Sequence, residues 1–182
     1  MLKRLITLAT YLTLLSISFS LAHQPLWNPG SSTPATPYVI EEIEISKAIF
    51  GELTDASVAH FIITVPNNFE LDVGVFKGGG CESSFSPELW IFEEGKPTPT
   101  PFASLANFSG QKIDGTWSEY KEHGLVGFKG AEYKKKLRAG TYSIVVYAPE
   151  SNGMYLLSLG GLEEWGGSEE GFAAIPRFNT CG

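Results

Sequence analysis

Charge is scarce in this sequence, and histidine and cysteine are scarcer. Charged residues make up 18% of the 182 positions, against roughly 25% in an average soluble domain. With 43% hydrophobic and 13% aromatic residues, this composition excludes disorder driven by charge. Only two cysteines and three histidines are present. No Cys-x-x-Cys pair, His-Glu-x-x-His, P-loop, dinucleotide fingerprint or Gly-x-Ser-x-Gly elbow occurs, so the familiar sequence signals of zinc, nucleotide and serine-hydrolase chemistry are missing. Past residue 22 no apolar stretch is long enough to span a bilayer. There is no internal repeat and no pattern of a long helix.

What the sequence does have is a leader. Met1-Leu2-Lys3-Arg4 is a positive start, Leu5 to Ala22 carries no charge, and Ser20-Leu21-Ala22 places small residues at the −3 and −1 positions. These are the marks of a signal peptide over 1–22, cut after Ala22 so that the mature chain begins His23-Gln24-Pro25. No cysteine follows the apolar run, which argues against a lipid anchor. Without Lys3 and Arg4 the chain keeps 11 basic residues against 20 acidic, a net of −9. That balance disfavours nucleic acid and anionic membrane surfaces as partners, because both need clustered cations. The one dense basic run, Lys134 to Arg138, reads as a solvated strand edge.

In an exported chain an even cysteine count predicts pairing. A Cys81–Cys181 bond would close a loop of about 100 residues, contribute roughly 4 kcal/mol in the chain-entropy model, and hold down the C-terminal tail.

Residues 23–37 are rich in Pro, Ser and Thr and read as an N-terminal arm. Short β-branched and aromatic runs then alternate with turn residues over 38–162: Val58 to Val65 before Pro66-Asn67-Asn68, Glu70 to Phe76, Leu89 to Phe92, and two runs around Lys129-Gly130. Thr141 to Ala148 is apolar on both faces, as a central strand should be. Ser151-Asn152-Gly153 turns the chain into Tyr155 to Leu159. Residues 163–182 form a Gly-rich, acidic tail with a short helix expected near Glu169–Ala174. The expected class is all-β: a jelly-roll-like β-sandwich of about eight short strands.

Several of these segments resemble the bacterial pre-peptidase C-terminal domain: Gly51-Glu52-Leu53-Thr54, Val58 to Pro66, Glu70 to Val73, Leu89-Trp90-Ile91-Phe92, Ala139-Gly140-Thr141-Tyr142 running to Tyr147, and Gly153 to Leu159. The resemblance covers about residues 46–160 and is most specific at the last hairpin. It implies a small jelly-roll-like sandwich of the kind appended to secreted enzymes for substrate attachment, solubility or Ca²⁺-dependent stability. The sequence departs from that setting, since it shows neither a peptidase domain nor a clear Asp/Asn cluster for calcium. Ala22-His23-Gln24-Pro25 and the ending Ile175-Pro176-Arg177-Phe178-Asn179-Thr180-Cys181-Gly182 also resemble a group of exported bacterial proteins, a resemblance that brings no activity with it.

The chemistry-bearing residues are few. Cleavage after Ala22 would give His23 a free α-amine beside its imidazole, a chelating pair suited to Cu²⁺, with His60 or His123 as a second ligand. The plainer reading makes His60 a partly exposed strand residue and His123 a turn residue. The paired glutamates read as solvated edges, and calcium could use them only without the usual loop spacing. Trp90 reads as core, while Trp117 and Trp165 in loop-like segments could stack on a sugar. The expectation is an exported, non-catalytic binding or structural module whose partner is a protein or glycan of the cell envelope. Copper binding through His23 and carbohydrate binding through Trp117 and Trp165 are the alternatives. No cofactor is required by the leading reading.

Overall fold

The computed structural model describes residues 23–30, 35–54, 57–66, 68–93 and 109–182. The leader over 1–22 therefore falls outside the described residues. Among the described residues no helix is long and apolar enough to cross a membrane.

Among the described residues, eleven strands form two facing sheets, accompanied by one helix. β1 (Gln24–Trp27), β3 (Lys47–Leu53), β11 (Gly153–Leu159), β5 (Phe69–Gly78), β9 (Leu125–Leu137) and β8 (Ser118–Glu122) form the larger sheet in that order. β2 (Tyr38–Val39), β4 (Ser57–Val65), β10 (Gly140–Ala148), β6 (Glu88–Glu93) and β7 (Ser109–Ile113) form the smaller. Pairing is antiparallel except for β1 with β3 and β2 with β4. The all-β sandwich is as expected. Period-two alternation sends Phe61, Ile63, Ile144, Val146, Leu89 and Ile91 inward from the small sheet. Ile49, Leu71, Val73, Val75, Tyr155 and Leu157 meet them from the large one, all buried. Tyr155 lies in this core with its hydroxyl accepting a hydrogen bond from Asn28 Nδ2 at 2.7 Å. Gly51 has no side chain because the Tyr155 ring occupies that space.

The sandwich extends beyond 38–162. Gln24–Trp27, within the stretch read as an arm, pairs with β3 from Gln24↔Lys47 to Trp27↔Phe50. The two runs around Lys129-Gly130 are one strand, β9, broken by a bulge: Glu132 pairs with Gly74 and Lys129 with Phe76. The extra residue reverses the alternation, so Lys129 and Glu132 emerge on the same face, where they form an ion pair at 2.8 Å. Gly130 lies under the Trp117 ring and leaves no room for a Cβ.

The acidic tail folds into α1 (Glu169–Thr180), longer than the expected helix. The Ser168 side chain caps it by accepting from Gly171 N at 3.0 Å, and Cys181 closes it in a left-handed conformation with φ 67°. Glu169 and Glu170 in the first turn and Arg177 in the last suit the helix dipole. The helix runs through Pro176 because its tertiary anchors outweigh the lost backbone bond. Ala174 and Phe178 form a second core with Phe50, Phe76, Leu125, Met154 and Leu156 on the outward face of the large sheet. Phe178 meets Phe50 edge-on, with centroids 5.6 Å apart. The expected Cys81–Cys181 disulfide is formed, with Cα atoms 4.8 Å apart, and joins the end of α1 to the loop after β5.

Candidate functional site

α1 covers only part of the large sheet's outward face. The rest is an open groove of about 360 Å³. Its lining combines small residues, Ala48 of β3, Gly74 of β5, Ser158 of β11 and Gly160 just after it, with Phe76, Leu125 and Leu156 at the boundary with the second core. Its rim carries the ionisable groups. Asp72 and Glu132 project from β5 and β9, Glu122 and His123 stand at the β8–β9 turn, and His23 and Glu163 come from the two segments that border β1 and α1.

Two of the rim carboxylates are engaged. Asp72 pairs with Lys134 at 3.0 Å, and Glu132 with Lys129. Asp72 and Glu70 hold the Lys134 ammonium above its ordinary pKa. Tyr120 stands over Phe76, centroids 5.0 Å apart. Burial, reinforced by Glu122, pushes its hydroxyl pKa up. The β8–β9 turn is held in place from α1: Asn179 Oδ1 accepts from Val126 N at 2.8 Å, and Asn179 Nδ2 donates to Gly124 O at 2.9 Å. That clamp positions His123, whose φ of 53° lies in the left-handed region.

His23 is held from the opposite side. The next residue's amide, Gln24 N, donates to Ser46 O at 2.9 Å, and the chain then enters β1. The His23 imidazole lines the groove, and its Nδ1 is buried with no hydrogen-bond partner among the described residues.

The structure thus brings His23 and His123 to one groove. It separates His60 from them. His60 faces outward from the small sheet beside Val145 and is 1% exposed, not partly exposed as its alternation suggested. The two tryptophans proposed for sugar stacking are also separated. Trp117 precedes β8 at one edge of the large sheet, half-buried, with Nε1 donating to Ser86 Oγ at 2.8 Å. Trp165 is 79% exposed and precedes Gly166 and Gly167, which abut Gln24 and Pro25 at the other edge. They cannot form one platform. Trp90 belongs to the outward face of the small sheet, with Phe92 and Val145, not to the main core. Among the described residues no three His, Cys, Asp or Glu side chains cluster to hold a metal.

Sequence reasoning missed Lys77. It continues the inward row Leu71, Val73, Val75, and that row was the available signal. Its ammonium donates to Phe85 O at 2.7 Å and Ser83 O at 3.3 Å. It lies 5.2 Å from the Trp117 ring centroid and 5.7 Å from that of Phe128. Burial lowers its pKa. Lys77 holds the loop that carries Cys81.

A second depression of about 510 Å³ is rimmed by Lys135, Lys136 and Arg138. It also takes in Glu93 and Gly110, which lie near the 94–108 segment outside the described residues.

No protein-family model matches the chain, and no curated protein matches it. Solved structures of similar course do exist. The pre-peptidase C-terminal domain of a collagenase from Bacillus anthracis is 15% identical, with a TM-score of 0.45 over 73% of this chain and 100% of that one. A periplasmic inhibitor of g-type lysozyme from Aeromonas hydrophila is 14% identical, TM-score 0.43, over 68% and 93% of the two chains. A surface-associated copper-binding protein from Methylomicrobium album is 6% identical, TM-score 0.36, over 68% and 96%. At these distances no residue role transfers.

Proposed function

We propose that this chain is an exported, non-catalytic binding module of the cell envelope or periplasm that takes a protein or glycan partner in the groove over its large sheet. The observation that carries this reading is the outward face of that sheet. One half is covered by α1 and packed as a second core; the other half is open and concave, with small residues and the core side chains Phe76, Leu125 and Leu156 in its lining and both signs of charge on its rim. Such a surface suits recognition. Asp72 and Glu132 are engaged in ion pairs with lysines, which suits a charged contact surface better than acid–base chemistry. The leader supports export, and so does the disulfide, a bond that persists in oxidising compartments.

A photoreactive residue in place of Glu163, introduced with the leader intact, tests this reading. It should give a discrete adduct in the envelope fraction, while the same residue at exposed Thr64 on the opposite sheet should not. Sequencing the recovered protein should find His23 first. Equal labelling from both positions, or none from 163, would sink the groove as the binding site.

A further inference from the structure

We propose that cleavage of the leader turns the groove into a Cu²⁺ site built on the α-amine and Nδ1 of His23, with the His123 imidazole as a third nitrogen. This inference rests on the groove as the binding site and adds a ligand class to it.

Three observations meet here. The first is the leader: a cut after Ala22 leaves His23 with an α-amine. The amine and Nδ1 of one histidine close a six-membered ring on a metal, and nitrogen ligands in a tetragonal set suit Cu²⁺. The second is Nδ1 itself, which is buried in the groove without a hydrogen-bond partner among the described residues. A neutral imidazole presents a lone pair at such a nitrogen, and coordination would satisfy it. The third is His123. The Asn179 clamp brings the β8–β9 turn onto the same groove, so a second imidazole is held on a fixed element. Side chains alone do not complete a metal cluster among the described residues; the missing ligand is one that only proteolysis creates. Around it, Ala48, Ser158 and Gly160 leave space, while Glu122 and Glu163 add negative charge at the rim.

Binding by this route is tied to export. The precursor has an amide where the mature protein has an amine, so it would lack the chelate and could not take copper at this site before translocation.

Cu²⁺ alone is the probe, titrated by calorimetry and followed by electron paramagnetic resonance. The mature protein beginning at His23 is compared with a form carrying two extra residues before it, with His123→Ala, with His60→Ala, and with the peptide His-Gln-Pro-Leu-Trp. The mature form should bind one Cu²⁺ on the order of 100-fold more tightly than the extended form. It should also exceed the peptide by about tenfold or more, because the peptide lacks the fixed third ligand. His123→Ala should remove one nitrogen from the spectrum and bring the affinity to that of the peptide. His60→Ala should change neither. Equal binding by mature and extended forms overturns the proposal, as does an unchanged nitrogen count in His123→Ala or an affinity no better than the peptide's. None of these results bears on the adduct formed from position 163 in metal-free buffer, so loss of the copper site and loss of the groove are separately visible.

Discussion

Along β11, Met154 packs with the α1 residues, Leu156 belongs to that core and borders the groove, and Ser158, with Gly160 just past the strand, lines the groove. The same division recurs on neighbouring strands. On β5, Phe76 joins the second core and stands at the edge of the groove, while Asp72 and Gly74 lie in the open half. On β9, Leu125 is buried at the boundary between the second core and the groove, and Lys134 is exposed. One sheet face thus carries two chemistries, divided across its strands. The helix sits where the apolar half is, since burying that half gains about 25 cal/mol per Å². The open half, where charged groups stand on the rim, is left for something else. Alternation tells inside from outside; only the change of residue type along one face tells which part of the outside is covered. Three substitutions test how firmly that division is drawn.

The largest effect belongs to the tether. Cys81 and Cys181 close a loop with a sequence separation of 100, and the chain-entropy model assigns such a link about 4–5 kcal/mol. Replacing both with serine should lower the urea midpoint by an amount corresponding to most of that figure, without moving the native position of α1 on the sheet. A loss below about 1 kcal/mol would mean that packing alone fixes the covered half. Phe178→Ala examines that packing directly. The side chain is fully buried against Phe50, and truncation should cost about 3 kcal/mol or more. Amide exchange should then quicken through α1 and at the ends of β5 and β9, while the small sheet stays protected. Uniform quickening would show that the second core is not a separate layer.

Much of the sandwich was legible in the sequence. The paired cysteines, the strand at Thr141 to Ala148 and the sandwich class follow from counts and periodicities local to a few residues. What was not legible depends on contacts between distant segments. Gln24–Trp27 is a strand because β3 offers it an edge, and nothing within Gln-Pro-Leu-Trp declares that. α1 continues past Ala174 through Pro176 because Phe178 and Cys181 are anchored beyond it, a tertiary effect that outweighs a local breaker. His60 alternates as a surface residue would, yet it is buried. The His23–His123 groove could not be seen because its two sides lie 100 positions apart and meet only through β1 on one side and the Asn179 clamp on the other.

The smallest effect on stability should accompany the largest effect on function. Ser158 is half-buried in the groove, between Ala48 of β3 on one side and Gly74 of β5 on the other. Ser158→Arg would lay a long side chain into open space and disturb no packed contact of the second core. Its melting temperature should therefore stay close to that of the parent, a change within about 0.5 kcal/mol. The arginine stem would occupy the groove and its guanidinium would face the rim carboxylates, so the adduct formed from position 163 should vanish. In the covered half the ranking reverses. Phe178→Ala removes stability first and disturbs partner binding only through the Asn179 clamp on the same helix. A Ser158→Arg protein that melts normally and still labels its partner from position 163 would show that the open half is bare sheet and that recognition lies elsewhere on the molecule.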